Sequence, residues 1–275
     1  MERVLIAGCG YVGSALAARL AADGDEVWGM RRAPDGLPAG VRPLAADLRD
    51  PATLAGLPEG LTTVFYTAAA DGGSEDDYRA VYVDGPRNLL AALEAEGQRP
   101  RRVIFTSSTS VYAQSGGEWV DEDSRAEPAG FRGRTMLEGE SIVLGGPFRG
   151  VVLRLGGIYG PGRTSYIDRV RSGAAECAAI TTYTNRIHRD DCAGALRHLM
   201  LLPSPESIYI GVDREPADSC EVLHWLAAAL GQPAPRRAET AVPPRSNKRC
   251  RSDRLASSGY TFSYPTYREG FAALL

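Results

Sequence analysis

A glycine-rich string near the beginning of the chain carries the most specific chemical signal in the sequence. Gly8, Gly10 and Gly13 follow the pattern G-x-G-x-x-G, directly after a short apolar run and at the start of an amphipathic one. In such a turn the first glycine permits the tight bend, the second lets the backbone approach a pyrophosphate, and the third lets a helix pack closely on a strand. The string, which includes Tyr11 and Val12, therefore predicts a dinucleotide-binding loop; an ordinary glycine-rich turn is the alternative.

The residues after the next apolar run indicate which dinucleotide would bind. Loops that take NAD place a carboxylate about 20 residues further on, where it accepts hydrogen bonds from the ribose 2′-hydroxyl. This chain has Arg31 and Arg32 there instead. A guanidinium pairs with a 2′-phosphate, which a carboxylate would repel. We therefore expect NADP(H) to be favoured over NAD(H), unless the two arginines are simply solvated.

Further residues with suitable side chains stand at the ends of later apolar runs. Open α/β sheets bind ligands at the carboxyl ends of their parallel strands. A carboxylate there can accept a hydrogen bond from an adenine amino group, and small side chains leave room for a cofactor. On this ground the additional cofactor-binding residues are predicted to be Asp47, Leu48, Ala68, Ala69, Ala70, Thr106 and Leu155.

The elements that must position these residues alternate along the first two thirds of the chain. Six runs are apolar at consecutive positions, as strands buried on both faces should be: Val4–Ala7, Glu26–Met30, Val41–Leu44, Thr62–Tyr66, Val103–Thr106 and Val151–Leu155. Helical patterns lie between them: Tyr11–Ala22, Pro51–Leu57 with Asp50 as its cap, Tyr78–Glu96 and Gly133–Leu144. This alternation indicates a parallel, doubly wound sheet. The predicted fold class is α/β, with a Rossmann-like body and a small C-terminal substrate-binding region.

The last third of the chain has a looser pattern. The predicted elements are helices over Tyr166–Arg171, Asp190–Leu202 and Asp218–Leu230, a strand over Ser207–Val212, and a last helix after the capping pair Thr266 and Glu269, with Phe271, Leu274 and Leu275 docking on the body. Residues 232–253, rich in proline and arginine, are predicted to form an irregular surface segment. We therefore expect a dinucleotide-binding body over 1–162, rejoined by 185–212, and a substrate-side region over 163–184 and 213–275.

In six segments the sequence resembles the extended short-chain dehydrogenase/reductase superfamily, within the NAD-dependent epimerase/dehydratase group. The segments are the glycine loop, ADLRD from 46 to 50, TAAA from 67 to 70, TSSTSVY from 106 to 112, RLGGIYGPGR from 154 to 163 and RIHRDD from 186 to 191. The resemblance implies catalysis by a serine or threonine, a tyrosine and a lysine, the last two spaced Y-x-x-x-K. Ser108 stands at the first of these positions.

The chain departs from that pattern at the other two positions. Arg132 stands where the tyrosine is expected and Met136 where the lysine is expected, and Lys248 is the sole lysine of the chain. Tyr82 replaces the asparagine that is usual on the preceding helix. A free phenol is only about 0.1% ionised at neutral pH, so a nearby cation must lower its pKa before it can serve as a base. The sequence therefore leaves open whether the chain is an enzyme.

Other side chains offer replacement chemistry. Tyr112 and His188 are predicted, with Ser108, to be the catalytic residues, and Tyr159 is a further loop tyrosine at the same edge. Imidazole titrates near neutral pH and is the most natural replacement acid or base. Packing under the loops is the alternative for the tyrosines. A hydrogen bond to the backbone is the alternative for His188.

The predicted substrate side is polar and largely cationic. Arg163, Asn185 and Arg186 are the predicted substrate residues, which suits a small ligand bearing a phosphate or carboxylate; solvated side chains are the alternative. Two functions of different classes follow. The first is an NADP(H)-dependent oxidoreductase or epimerase/dehydratase acting on a small polar or anionic carbonyl or sugar substrate. The second is a catalytically degenerate NADP(H)-binding sensor or regulatory protein.

Composition narrows the partners. The 275 residues carry a formal charge of −3, from 31 basic and 34 acidic residues, so no net charge attracts nucleic acid or an anionic membrane. No apolar stretch approaches the roughly 20 residues of a membrane span. The five cysteines show neither a C-x-x-C pair nor a cysteine–histidine cluster, which predicts reduced thiols, no metal site and a cytoplasmic location. We expect a monomer or homodimer that binds a small-molecule substrate or none, with neither nucleic acid nor membrane as partner.

Overall fold

The computed structural model describes residues 1–240 and 246–275. The strands are β1 Arg3–Ala7, β2 Glu26–Arg31, β3 Val41–Ala45, β4 Thr63–Tyr66, β5 Arg102–Ser108, β6 Glu118–Val120, β7 Gly150–Leu155, β8 Gly157–Tyr159, β9 Glu176–Cys177, β10 Tyr183–Thr184, β11 Arg186–His188, β12 Ile208–Gly211, β13 Ala217–Asp218, β14 Arg236–Arg237 and β15 Lys248–Cys250. The α-helices are α1 Tyr11–Ala22, α2 Glu75–Arg79, α3 Gly85–Ala95, α4 Phe131–Leu144, α5 Ser165–Arg171, α6 Arg189–Leu201, α7 Ser219–Ala229, α8 Asp253–Ser257 and α9 Tyr267–Ala272.

A seven-stranded parallel sheet forms the centre of the fold, in the order β3-β2-β1-β4-β5-β7-β12. Its inner strands are buried at nearly every position, as the consecutive apolar runs predicted. The strand order reverses between β1 and β4, and ligands bind at such a switch point in open α/β sheets. The predicted Rossmann-like, doubly wound α/β class is therefore confirmed.

The chain divides into two compact units. Unit 1 comprises Met1–Val111, Glu127–Arg154 and Ala193–Tyr209, and unit 2 comprises Tyr112–Ala126, Leu155–Cys192 and Ile210–Leu275. Each unit is therefore assembled from three separate stretches of sequence. That unit 2 takes the substrate stays a prediction.

In unit 1 a helical segment changes its winding midway. Between α2 and α3 the residues Ala80–Asp84 form a π-helix, and the hydroxyl of Tyr66 donates a hydrogen bond to the Val81 carbonyl there. The Tyr66 hydroxyl also occupies the space that a Cβ on Gly85 would need, at 2.2 Å. Short π segments concentrate at functional sites because they re-aim side chains. Here the π segment carries Tyr82, whose hydroxyl accepts a hydrogen bond from the Ala70 N–H at 3.4 Å.

A buried ion pair joins three elements of unit 1. Arg154 of β7 donates from Nε to Glu140 Oε1 at 3.0 Å and from Nη2 to Glu140 Oε2 at 2.7 Å. The Ser107 hydroxyl on β5 donates to Glu140 Oε1 at 2.5 Å. Both charged side chains are almost fully buried. The pair therefore fixes α4 against the two strands, since a buried charge is tolerated only with its partner in place.

In unit 2 the short strands pair two by two around a separate apolar core. β11 pairs with β8 in parallel, β15 with β6, β14 with β9, and β10 with β13 antiparallel. The core includes Tyr267 and Phe271 of α9. Thr266 and Glu269 form the predicted capping box at the start of α9. Leu275 is 45% exposed, so the expectation that it docks is wrong, whereas Leu274 does pack against this core.

Several predicted boundaries need correction. The helix expected over Pro51–Leu57 is only a 3-10 turn, Pro51–Leu54, because Ala55 is extended. The helix expected from Tyr78 begins at Glu75, since a capping box between Ser74 and Asp77 starts it on the exposed side. Segment 232–253 contains β14, β15 and the first residue of α8, although residues 241–245 lie outside the described part. In the described residues no helix is both long and apolar enough to span a membrane.

Candidate functional site

The glycine loop connects β1 to α1 in unit 1 and packs against the residues that follow β4. Gly8 has a φ of +89°, and a Cβ on it would lie 2.3 Å from Cα of Ala68. A Cβ on Gly13 would lie 2.7 Å from both the Gly8 carbonyl oxygen and Thr67 Oγ1. The N–H groups of Gly8 and Cys9 both donate to the Met30 carbonyl, at 3.0 and 2.9 Å. Gly8 and Gly13 are therefore required by packing within the loop.

Gly10 is different because it faces open space. It is exposed, and among the described residues the only atom within 4 Å of a Cβ placed on it is the Gly8 carbonyl oxygen, at 3.9 Å. Gly10 is also the N-cap of α1, where no side chain caps the helix and the first turn holds no acidic residue. A helix N-terminus with its amides accessible favours an anion. This cradle, which a side chain would fill, fits a dinucleotide pyrophosphate above Gly10 and the first turn, with Tyr11 and Val12.

Two arginines end the second strand. Arg31 is the last residue of β2, and Arg32 is exposed and forms an ion pair with Asp71. An exposed pair contributes little to stability, so Arg32 remains available to a stronger anion. Beyond β3, the Asp47 carboxylate accepts hydrogen bonds from Arg49 Nε at 3.0 Å and Arg49 Nη2 at 2.7 Å. That guanidinium lowers the pKa of Asp47 to about 2.

The remaining predicted cofactor residues lie as follows. The Leu48 carbonyl accepts a hydrogen bond from Asn88 Nδ2 at 2.9 Å, and Ala68 to Ala70 follow β4 beside the glycine loop. Thr106 Oγ1 donates to the Tyr66 carbonyl at 3.0 Å near the end of β5. Leu155 is buried as the last residue of β7 and is assigned to unit 2. Thus unit 1 gathers every predicted cofactor residue except Leu155 at the carboxyl ends of its strands.

The positions of the missing tyrosine and lysine are occupied by groups that cannot replace them. The guanidinium of Arg132 lies over the rings of Tyr78 and Phe131, 5.2 and 5.8 Å from their centroids. Met136 is 4% exposed and has no ionisable group. Ser108 Oγ accepts a hydrogen bond from the Ser110 N–H at 3.1 Å, which leaves its own hydrogen for a ligand.

In unit 2, strand β11 carries two buried basic side chains two residues apart. Arg186 and His188 therefore lie on the same face of the strand. The Asp190 N–H donates to His188 Nδ1 at 3.2 Å, so in neutral imidazole the proton is on Nε2. Burial lowers the pKa of His188, which keeps it neutral at pH 7. Its ring stands 4.0 Å from that of Tyr264 and 5.4 Å from that of Tyr159, measured between centroids.

Arg186 is the most unusual polar side chain of unit 2. It is 4% exposed, and within residues 1–240 and 246–275 none of its three side-chain nitrogens has a hydrogen-bond partner. Its guanidinium lies over the rings of Tyr166 and Tyr267, 5.1 and 5.7 Å from their centroids. A buried, permanently charged group without hydrogen bonds is costly, so its donors are suited to a ligand that brings a negative charge.

Further unsatisfied polar atoms belong to side chains that interact with Arg186 or His188. In the described parts of the chain, Nε2 of His188, the Tyr159 hydroxyl and Oδ2 of Asp213 also lack a hydrogen-bond partner. Burial raises the pKa of Asp213 to about 7, opposed by the positive charge of Arg186. Burial also raises the pKa of Tyr159, which keeps it a neutral donor. The set offers a fixed cation and neutral donors, which together suit a carboxylate or phosphate.

Asp213 was not among the sequence predictions, although its position after a buried strand is a usable signal. Two of the predicted residues have structural partners instead. Asn185 Oδ1 accepts from the Cys250 N–H at 2.6 Å, and its Nδ2 donates to the Lys248 carbonyl at 3.0 Å. Tyr112 is 1% exposed, and its carbonyl accepts from Lys248 Nζ at 3.0 Å. Arg163 is exposed in a turn with Gly160.

The cysteines depart from the sequence expectation. Cys177 and Cys220 form a disulfide, whereas Cys9, Cys192 and Cys250 are free and buried. The expectation of five reduced thiols is therefore wrong for one pair. The sequence showed no cysteine–histidine cluster, yet the fold forms one, because His224 contacts both bonded sulfurs. The spacing of Cys220 and His224, four residues apart on a predicted helix, was the signal that pattern reading missed.

Comparisons with known proteins agree with this fold. A family model described as the NAD dependent epimerase/dehydratase family matches residues 4–211. Protein YeeZ of Escherichia coli (strain K12) is 31% identical over 220 residues, covering 76% of this chain and 77% of that protein. The 3-diazoavenalumate denitrifying reductase of a Streptomyces species is 28% identical over 308 residues, covering 98% of each chain.

Solved structures extend the likeness to the whole chain. One from Methylobacillus flagellatus, named as a candidate NAD-dependent epimerase/dehydratase, is 39% identical with a TM-score of 0.84, covering 99% of this chain and 97% of that one. Two more distant structures share the fold alone. The human epimerase family protein SDR39U1 (isoform 2) with NADPH is 21% identical, has a TM-score of 0.81 and covers 99% and 98%. The Bordetella bronchiseptica enzyme WbmG with NAD is 19% identical, also at 0.81, and covers 98% and 91%.

Proposed function

The chain belongs to the NAD-dependent epimerase/dehydratase family, and from that premise we propose that it is an NADP(H)-dependent oxidoreductase of a small anionic substrate. The observation that carries the proposal is the cradle above Gly10, open to solvent at the start of α1, together with an arginine pair rather than a carboxylate after β2. A dinucleotide bound there would supply or accept a hydride.

The chain's own residues would hold the charged parts of that ligand. Gly10 and the first turn of α1 would hold the pyrophosphate through backbone amides. Arg32, helped by Arg31, would pair with a 2′-phosphate, displacing the exposed ion pair with Asp71. The distant structures bound to NADPH and to NAD support a nicotinamide dinucleotide in general. The preference for NADP(H) rests on the two arginines.

The substrate class follows from Arg186. Its three unsatisfied nitrogens, on a buried guanidinium that contacts two tyrosine rings, would receive a carboxylate or phosphate oxygen. His188 Nε2 and the Tyr159 hydroxyl supply neutral donors for the same ligand or for a neighbouring carbonyl. Desolvation inside unit 2 makes such charge-assisted hydrogen bonds stronger than at a surface.

The reaction must also accommodate the absence of the tyrosine–lysine relay. Hydride transfer to a ketone leaves an alkoxide that needs a proton, whereas hydride transfer to a more strongly electrophilic centre does not depend on a phenol. The Streptomyces relative is named as a reductase of a diazo compound, which supports a reduction as the reaction class. In unit 1, we propose that Ser108 offers its hydroxyl hydrogen to the acceptor. In unit 2, we propose that His188, neutral at pH 7, offers its Nε2–H to the anion bound by Arg186.

A second candidate function is a dinucleotide sensor. Arg132 and Met136 favour it, since one is held on aromatic rings and the other is buried and uncharged. A sensor would bind NADPH and NADP⁺ with different affinities and would oxidise no substrate. The two functions therefore differ in turnover and share the cofactor site.

Calorimetric titration with NADPH and NADH tests the cofactor. We expect NADPH to bind at least tenfold more tightly, and Arg32→Ala to remove most of that difference with little effect on NADH. Arg87→Ala, which removes an exposed arginine of α3 that pairs with Asp84, is the matched control. Equal affinities in the unsubstituted protein would refute the NADP(H) preference, and no binding of either dinucleotide would refute the function.

Turnover separates the reductase from the sensor. NADPH oxidation is followed with small carboxylates that bear a ketone, an aldehyde or a diazo group, beside their neutral esters. We expect activity with at least one acid. Its KM should rise tenfold or more when the acid is replaced by its ester, and likewise when Arg186 is replaced in Arg186→Met. Ser108→Ala should lower kcat. Absence of turnover with every acid, despite dinucleotide binding, would favour the sensor instead.

A further inference from the structure

A compact sulfur and nitrogen cluster lies in unit 2, apart from Arg186 and its anion-binding donors. Cys177 ends β9, and Cys220 and His224 stand one helical turn apart on α7. His224 Nε2 lies 3.6 Å from Cys177 Sγ and 3.7 Å from Cys220 Sγ. All three potential ligand atoms fall within 4.8 Å of one another. The imidazole is thus equidistant from two sulfurs that are at present bonded together.

The local sequence explains why these atoms meet. Residues four apart on a helix lie on one face, which brings His224 over Cys220. Parallel pairing of β9 with β14 places Cys177 opposite Arg237, so the chain just before β14 passes over the same point. There the Pro235 carbonyl oxygen lies 3.2 Å from His224 Nε2 and 3.9 Å from Cys177 Sγ. Four potential donors therefore converge from three segments.

The distances match the edges of a tetrahedral zinc site. With zinc–sulfur bonds of about 2.3 Å and zinc–nitrogen bonds of about 2.05 Å, a tetrahedron has a nitrogen–sulfur edge of about 3.6 Å. The two observed distances are 3.6 and 3.7 Å. An oxygen ligand at about 2.1 Å would lie roughly 3.4 Å from the nitrogen and 3.6 Å from a sulfur. The Pro235 oxygen, at 3.2 Å from the nitrogen and 3.9 Å from Cys177 Sγ, would have to shift slightly, and the two covalently joined sulfurs would have to separate.

We propose that reduction of the Cys177–Cys220 disulfide creates a binding site for Zn²⁺ or a similar soft divalent cation, with His224 as the third protein ligand. The fourth position would be taken by the Pro235 carbonyl oxygen or by water. A dithiol or phosphine reductant supplies two electrons, the sulfur–sulfur bond breaks and each sulfur takes a proton. Binding of the cation then releases both thiol protons. Two thiolates and a neutral imidazole balance the charge of the ion.

The oxidised and metal-bound forms exclude each other. In the disulfide form the contact at 3.2 Å makes His224 Nε2–H the donor to the Pro235 carbonyl. A metal needs the Nε2 lone pair, so the ring proton must move to Nδ1 and that hydrogen bond must be given up. Both sulfurs are buried, whereas His224 is exposed and leaves an entry path for the ion. The N-terminal end of α7, next to Cys220, favours the negative charge of a thiolate.

Cobalt titration of the full chain tests the site. After reduction with a phosphine and its removal under nitrogen, we expect one Co²⁺ per chain, thiolate-to-cobalt charge-transfer absorption and release of two protons per ion. Zn²⁺ should displace the cobalt. The untreated, disulfide-bonded protein should show none of these signals, and re-oxidation should expel the ion.

Matched variants identify the ligands. Cys220→Ser should abolish the charge-transfer band, and His224→Ala should weaken Co²⁺ binding at least tenfold while unfolding at an unchanged temperature, because His224 is exposed. His198→Ala and Cys250→Ser, which alter a histidine and a cysteine outside the cluster, are the controls. If Cys220→Ser does not fold, His224→Ala carries the test. Binding to the oxidised protein with equal affinity, binding unaffected by His224→Ala, or no binding after reduction would each overturn the proposal.

Discussion

At the scale of single residues, two glycines two positions apart, Gly8 and Gly10, serve different purposes, which makes them a matched pair for experiment. Gly8 has a positive φ and no room for a Cβ, whereas Gly10 has a negative φ and open space. We expect Gly8→Ala to lower the free energy of unfolding by roughly 2–5 kcal/mol, from backbone strain and overpacking against Ala68. Gly10→Ala should change it by less than about 0.5 kcal/mol, as an exposed substitution.

The same two variants should diverge in dinucleotide binding. Gly10→Ala places a methyl group where the pyrophosphate must approach, so we expect its affinity for NADPH to fall at least tenfold in a calorimetric titration although it folds normally. Urea unfolding supplies the stability measurement. A Gly10→Ala protein that binds NADPH as tightly as the unsubstituted chain would place the dinucleotide elsewhere.

Asp213 should make the free energy of unfolding depend on pH, and the sign of that dependence follows from its raised pKa. Burial raises the pKa of Asp213 from 3.8 to about 7, so between these values the folded chain holds a proton that the unfolded chain has lost. Its contribution to stability is therefore present below about pH 4 and is lost as the pH rises toward 7, by on the order of 4 kcal/mol. Asp213→Asn should remove this slope.

Urea unfolding at half-unit pH steps between 4 and 7 measures the effect as the difference between the unsubstituted protein and Asp213→Asn. Asp35→Asn, at an exposed aspartate, is the control for a general change in net charge. Parallel pH profiles for Asp213→Asn and the unsubstituted chain would show that Asp213 titrates normally in the folded protein.

These residues also show where sequence reasoning stops. The glycine spacing and the missing carboxylate after β2 are local features, so they could be found from the amino-acid sequence. The unsatisfied nitrogens of Arg186 and the proximity of Asp213 depend on tertiary burial, which no local pattern contains. Asn185 and Tyr112 were plausible by position, yet their contacts with Lys248 and Cys250 come from a segment more than sixty residues away.

At the scale of elements, two arginines that pair with carboxylates of α4 test how much a buried ion pair contributes to the free energy of unfolding. Arg154 pairs with Glu140 in the interior, and Arg79 pairs with Glu138 at the surface of the same helix. Arg154→Met should cost about 3–5 kcal/mol, because it leaves the Glu140 charge buried without its cation. Arg79→Met should cost far less, because its pair with Glu138 is exposed to solvent.

The double substitution Arg154→Met with Glu140→Met separates pairing from packing. Since replacing both charges by apolar groups removes the desolvation cost, we expect the double variant to be more stable than Arg154→Met alone. Urea unfolding of the unsubstituted chain, the two single variants and the double variant gives the coupling energy between Arg154 and Glu140. A double variant less stable than either single one would mean that side-chain shape, and not charge, fixes α4.

Elements were predictable in proportion to how long and how apolar they are. The six predicted strand runs were located to within one or two residues, although the edge strand β3 is largely exposed and was not buried as expected. The strands of two or three residues in unit 2 went unseen, since they are shorter than any alternation that could reveal them. The start of α2 was missed because its first turn is exposed and is fixed by the Ser74–Asp77 capping box.

At the scale of the whole molecule, the sequence does not show which segments of the chain make up each compact unit. Each unit draws on three separate stretches, and the boundaries fall within elements such as α6 and β12. Hydrophobic periodicity reports a residue's immediate neighbours along the chain, so it cannot show that Tyr112–Ala126 belongs with the last third. The predicted body, 1–162 rejoined by 185–212, departs from chain order once, whereas the compact units do so at further points such as Tyr112–Ala126.

Composition offers a last test at this scale, because a chain of 275 residues with one lysine has one amine besides its α-amino group. Lys248 is 4% exposed and its Nζ donates to the Tyr112 carbonyl at 3.0 Å, while burial lowers its pKa. Burial blocks an acylating reagent even though a lower pKa increases the fraction of reactive amine. We therefore expect one adduct per native chain and two after unfolding in urea, counted by intact-mass spectrometry.

The second adduct should appear at the urea concentration where β15 separates from β6. The fluorescence of Trp119, in a variant with Trp28 and Trp225 replaced by Phe, reports that separation. Rapid double labelling of the native protein would mean that Lys248 is accessible and that the β15–β6 pairing opens without global unfolding.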